Sequence, residues 1–133
     1  MKVYVASKFE NQEKVLEIYG KLRENGHEIT VDWTKSDDKK AKRDHETARK
    51  YAERDIKGVK DADVFVLLTT DVPGKGRFIE LGAAMTLNIL NDKPKIFVIG
   101  DYNTESIFFF HSVINRVKSI EDVIKELERS ERP

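Results

Sequence analysis

Apolar and polar positions along this chain fall into short blocks that switch period. Residues 2–6 are apolar and rich in β-branched side chains, which predicts a buried strand. In residues 11–25 the apolar positions Val15, Leu16, Ile18, Tyr19 and Leu22 recur at helical spacing, and Asn25-Gly26 supplies a stop. Residues 28–33 alternate, with Ile29, Val31 and Trp33 on one side, and predict a second strand. Residues 35–43 are a charged run, either a loop or the start of the next helix. Residues 44–60 carry Ala48, Tyr51, Ala52, Asp55, Ile56 and Val59 near one face and predict a helix that ends around Gly58 to Asp61. Residues 63–69 are almost continuously apolar, as central parallel strands are. A helix over 77–90, a strand over 95–99, and a loop over 100–112 with a short helix through Phe108-Phe109-Phe110 follow. An edge strand over 115–118 and a last helix over 119–129, N-capped by Ser119, complete the chain.

Strand and helix thus alternate, which predicts an α/β three-layer sandwich around a five-stranded, mainly parallel sheet. Ligands of such sheets sit beyond the carboxyl ends of the strands, at the switch in strand order. The segments to watch are therefore 7–9, 32–34, 69–77 and 101–106.

Composition narrows the function. The 133 residues suit one domain, with enough chain for a real core. Twenty-four Lys and Arg balance twenty-four Asp and Glu, so no net charge draws the molecule toward a nucleic acid polymer or a membrane. The absence of cysteine excludes disulfides, thiolate catalysis and Cys-ligated zinc, and fits a cytoplasmic protein. The chain enters a strand at once, so no signal peptide is expected, and no apolar stretch has the length of a membrane span.

Candidate chemistry concentrates in residues 73–84, Pro-Gly-Lys-Gly-Arg-Phe-Ile-Glu-Leu-Gly-Ala-Ala. A glycine turn after a strand, here with Gly74 and Gly76, lets a ligand approach backbone. Glu80 lies among apolar and small residues, so its carboxylate is either partly buried or faces a pocket. Taken alone, it also fits a helix start that complements the dipole. The turn is not a Walker A loop, which needs GxxxxGK followed by Ser or Thr, whereas here Gly74-Lys75-Gly76 is followed by Arg77. No GxGxxG follows the first strand, which ends Ala6-Ser7-Lys8-Phe9. A phospho-receiver's acidic pair is missing there too. His27, His45 and His111 are scattered without metal-ligand spacing, and Ser7 has no obvious triad partners. Carboxylates remain.

Three separated segments then match one family in order. Gly76-Arg77 before Glu80-Leu81-Gly82-Ala83-Ala84, the stretch Asp55-Ile56-Lys57-Gly58-Val59-Lys60-Asp61-Ala62-Asp63, and the strand Val3-Tyr4-Val5-Ala6-Ser7 resemble the nucleoside 2-deoxyribosyltransferase superfamily. That group includes the 2'-deoxynucleoside 5'-monophosphate N-hydrolases. The resemblance runs from residue 2 to about residue 100. It implies a flavodoxin-like sheet and a homo-oligomer, a dimer or higher, in which a neighbouring subunit often completes the site. It implies Glu80 as the nucleophile on C1' of the deoxyribose, Asp55 as the acid beside sugar and base, and Tyr4 as the residue next to the nucleophile. The turn around Gly74 and Gly76 departs from these relatives. Its Pro-Gly-x-Gly resembles a loop of cytokinin-activating phosphoribohydrolases, in which case Lys75 and Arg77 would meet a 5'-phosphate. Phe108-Phe109-Phe110 stand where the N-hydrolases place a phosphate-binding serine.

The physical logic is consistent. Breaking an N-glycosidic bond builds oxocarbenium charge, which a carboxylate on the opposite face can trap covalently. The departing base needs a proton or hydrogen bonds, which a second acid with a raised pKa can give. Phe9 and Trp33 are placed to stack a nucleobase or to pack the sheet ends, and Ser7 to contact the sugar or cap a helix. Three adjacent phenylalanines cannot all face one core, so residues 108–110 are the candidate subunit contact. The expectation is an enzyme acting on a small-molecule nucleoside or nucleotide, without metal or cofactor. The alternative is a non-catalytic nucleotide-binding or sensing module of the same fold.

Overall fold

The computed structural model describes residues 1–71 and 75–131. Five strands, β1 (Lys2–Ala6), β2 (Glu28–Ile29), β3 (Val64–Leu68), β4 (Lys95–Ile99) and β5 (Ile114–Arg116), form one sheet in the order β2-β1-β3-β4-β5. Every pair is parallel, so the sheet is wholly rather than mainly parallel. This is the flavodoxin-like order. Among the described residues the helices are α1 (Gln12–Glu24), α2 (Asp38–Arg43), α3 (His45–Asp61), α4 (Lys75–Asn91) and α5 (Ile120–Glu131). α3 and α4 pack side by side over β1 and β3, with α2 against α3; α1 and α5 meet each other. The chain reverses its direction across the sheet after β2, so β1 and β3 become neighbours with a crevice at their carboxyl ends. All five β3 residues and Val3 to Ala6 of β1 are buried, as a strand covered on both faces requires. No described helix is long and apolar enough to cross a membrane.

β2 is shorter than the alternation over 28–33 predicts. Glu28 N and Thr30 N donate to Met1 O and Val3 O (2.9 and 3.0 Å), continuing the ladder along β1. At the next step the Trp33 indole Nε1 donates to Val5 O at 2.7 Å. The side chain takes the acceptor that a strand amide would have used, and the backbone turns into a 3-10 turn over Trp33–Lys35. The charged run then forms α2, N-capped by Asp37, and Asp44 breaks it and caps α3. α4 starts at Lys75, two residues before its expected start, and Gly76 lies within its first turn. α3 runs through Gly58 and ends at Asp61, within the expected range.

Candidate active site

β1, α3 and α4 each contribute one of the three candidate catalytic residues. Tyr4 faces the α3–α4 layer. Its ring stacks on Phe65, its register partner on β3, with centroids 5.8 Å apart and planes 7° from parallel. The ring is wholly buried, yet its hydroxyl reaches α4 and donates a hydrogen bond to Glu80 Oε2. A buried phenol needs an acceptor, and a buried carboxylate needs a donor; each satisfies the other. Gly58 sets how closely α3 approaches this pair. A Cβ there would lie 2.4 Å from Val31 Cγ2, 3.1 Å from Tyr4 Cδ2 and 3.2 Å from Thr30 Oγ1. Asp55 precedes Gly58 by three residues, hence on the same helical face, and so overlooks the pair.

Burial raises the Glu80 carboxyl from its ordinary 4.5 to about 7. The Tyr4 hydrogen bond and the Arg54 cation oppose that rise, while the Asp55 charge adds to it. Asp55 is also raised by burial, against the Arg54 guanidinium, which holds it down. Burial, then the charges of Glu80 and Asp55, push the Tyr4 phenol far up, so it stays a donor at any physiological pH. Two acids and a permanent phenol donor therefore share one partly desolvated corner, the setting in which carboxyls are tuned for nucleophilic and acid–base work.

The remaining sequence-predicted residues fall in several places. Ser7 is half-buried at the end of β1, its Oγ near Leu68 O and the Asn11 amide (both 3.4 Å). Phe9 lies tilted against Trp33, with centroids 6.3 Å apart. Trp33 is 7% exposed and has given its only N–H to Val5, so most of it belongs to the core. Gly76 is exposed, with open space beside it. Gly74 lies outside the described residues. Arg77 is 4% exposed; its Nη1 donates to Thr70 Oγ1 at 2.7 Å and its guanidinium lies over Phe78. It is not among the charges that shift Glu80. With Leu81 and Met85, one turn apart on α4, it lines a cavity of about 690 Å³ that also touches Thr70, Tyr102 and Phe109. Tyr4, Asp55 and Glu80 do not line that cavity. Glu80 leaves α4 toward α3, so Arg77 and Glu80, three residues apart in sequence, serve different flanks of the same helix.

Sequence reasoning missed Arg54, Ser36, Tyr51 and the packing role of Gly58. Arg54 looked like one more charge on a charged helix, and nothing in its spacing marks it. Gly58 did carry a signal: a glycine inside a helical pattern often marks close backbone approach, though it served only to bracket the helix end at Gly58 to Asp61. His27 is buried against the N-terminal amine (3.2 Å to Nδ1) and serves the fold.

The comparisons with known proteins bear on the fold and the family. A solved structure of the CMP N-glycosidase BcmB from Clostridium botulinum shares the fold, with a TM-score of 0.62 at 15% identity, over 96% of this chain and 99% of that one. Among curated proteins no sequence matches significantly. The family model described as nucleoside 2-deoxyribosyltransferase matches residues 3–112, a span that contains Tyr4, Asp55 and Glu80. The chain therefore belongs to the nucleoside 2-deoxyribosyltransferase family.

Proposed function

We propose that this enzyme cleaves the N-glycosidic bond of 2'-deoxynucleosides or their 5'-monophosphates through a covalent glutamyl-deoxyribose intermediate. The observation that supports it is the Tyr4–Glu80 hydrogen bond beside Asp55. Tyr4 occupies Glu80 Oε2, which leaves the other carboxylate oxygen for C1' of the sugar. In the first step that oxygen forms a bond to C1' as the C1'–N bond breaks, and the departing base takes a proton from Asp55 in its acid form. In the second step a nucleophile, a second base or water, gives its proton to Asp55 and bonds to C1', and the Glu80–sugar bond breaks. The outcome is transfer in the one case and hydrolysis in the other.

Glu80 must be ionised to attack. With its pKa near 7, activity should climb as pH rises through that value. The test is a panel of deoxynucleosides, deoxynucleotides and CMP, the last because the fold neighbour is a CMP N-glycosidase. Each is incubated with and without acceptor adenine, and free or exchanged base is measured. Glu80→Ala should lose several orders of magnitude of turnover, together with any deoxyribosyl adduct seen by intact mass. Tight ligand binding with no product from any substrate would leave the sensing-module reading; activity that persists in Glu80→Ala removes Glu80 as nucleophile.

A further inference from the structure

Arg54 sits beside the acid pair with all of its interactions directed at the site's own frame. Its Nε donates to Asp55 Oδ1 at 3.0 Å, and its Nη2 forms an ion pair with the same oxygen at 2.9 Å. Nη2 also donates to Ser36 Oγ at 2.8 Å, in the segment that leads into α2. The guanidinium lies over the Tyr51 ring, 4.6 Å from its centroid, and the Tyr51 hydroxyl in turn accepts from Asp37 N at 3.0 Å. A planar guanidinium is the side chain suited to this triple duty of fork, stack and tether; a lysine ammonium could not reproduce it. The pairing takes one Asp55 oxygen and leaves Oδ2 outside it.

Resting on the catalytic reading above, we infer that Arg54 is a positioning residue: it clamps the Asp55 carboxyl group in one orientation, with Oδ2 presented, and ties it to the Ser36–α2 segment. The reason it is needed is energetic. Asp55 is three-quarters buried and faces Glu80 from α4, and burying two carboxylates together favours protonating them unless a cation intervenes. The groups that bear on Asp55 and Glu80 are Arg54 from α3 and Tyr4 from β1; Tyr19 of α1 feels both acids. Arg54 is the cation of this set that reaches them.

The test uses the full chain with Arg54→Gln, Arg54→Lys and Ser36→Ala. Arg54 is about a third exposed, so the variants should fold, which thermal unfolding checks. The primary measurement is a carbon-detected NMR titration of the side-chain carboxyls, which needs no turnover. In Arg54→Gln the Asp55 midpoint should rise by about one pH unit or more. Arg54 also holds the Glu80 carboxyl down, so the acid limb of kcat/KM, which reports Glu80 ionising, should move up as well, and activity should fall most at low pH and recover at high pH. Arg54→Lys should keep the midpoint closer to wild type but raise KM, and Ser36→Ala should raise KM with the midpoint unchanged. An Asp55 midpoint unmoved in Arg54→Gln overturns the proposal, as does a loss of activity uniform in pH. If the wild type turns over nothing, the catalytic reading fails, while the Asp55 midpoint still decides the role of Arg54.

Discussion

At the scale of the residue, the site stores an unfavourable charge. Glu80 is held at about 7 in the folded chain against 4.5 in the unfolded one, so the folded state binds its proton more tightly. The sign follows. Protonation favours folding, and the favour is lost as pH rises through the window from 4.5 to about 7. Above that window the ionised Glu80 costs on the order of 3 kcal/mol of stability. Glu80→Gln keeps the shape and an oxygen for the Tyr4 hydroxyl while removing the charge. Denaturant unfolding should therefore find it more stable than wild type at pH 8.5, by up to about 3 kcal/mol. The two should converge below pH 4.5, where both side chains are neutral in both states. Equal stabilities at pH 8.5 would mean that Glu80 is not desolvated as the fold indicates. Its acid character was legible in the sequence, because a carboxylate set among Phe78, Ile79, Leu81 and Gly82 has few ways to stay hydrated. Its partner Arg54 was not, because α3 also carries Arg49, Lys50, Lys57 and Lys60, and charge alone does not tell a solvated side chain from an inward-turned one.

At the scale of the element, legibility followed periodicity. β1, β3 and β4 were evident, since a strand buried on both faces is apolar throughout. β2 was overdrawn because alternation records which side a residue faces and not what its backbone pairs with. Trp33 faces inward as expected, but its indole ends the ladder. Helix α3 shows what such rules leave out. Gly58 costs helix propensity in mid-helix, and what it gives in return is a close approach to Val31, Thr30 and Tyr4. Gly58→Ala should therefore gain nothing from better propensity. The 2.4 Å approach to Val31 Cγ2 forces that side chain or the helix to move, at about 1–3 kcal/mol of stability. Because Asp55 lies one turn away, a shifted α3 should also lower kcat more than it raises KM. Thermal unfolding and steady-state kinetics on the one variant check both effects; an unchanged or higher Tm would show that Val31 and α3 yield to the added methyl without cost.

At the scale of the molecule, the unexplained feature is the outer face of α4. The chain is 36% charged, yet no charged residue occurs between Glu80 and Asp92. Ile79, Gly82, Thr86 and Ile89 are exposed at 3-4-3 spacing, the seam of a helix that packs on another helix. Ile79, Ile89 and Leu90 are 66%, 60% and 72% exposed. The phenylalanine run divides between core and surface. Phe109 turns inward against Phe78, while Phe108 and Phe110 stay exposed, as three adjacent aromatics must divide. Gly82 and Thr86, small residues at the centre of the stripe, would let a second α4 come close. A second copy of the chain is the occupant this stripe suits, since a two-fold axis pairs a helix face with itself. The expected result is a dimer or higher assembly by light scattering at micromolar concentration. Ile89→Glu with Leu90→Glu lies more than two turns from Glu80, so it changes the surface and not the acid pair. It should halve the mass or shift it toward the monomer, because two buried, unpaired carboxylates cost more than such a contact returns. A wild type that is monomeric at that concentration would reject the arrangement and leave the apolar stripe without a role.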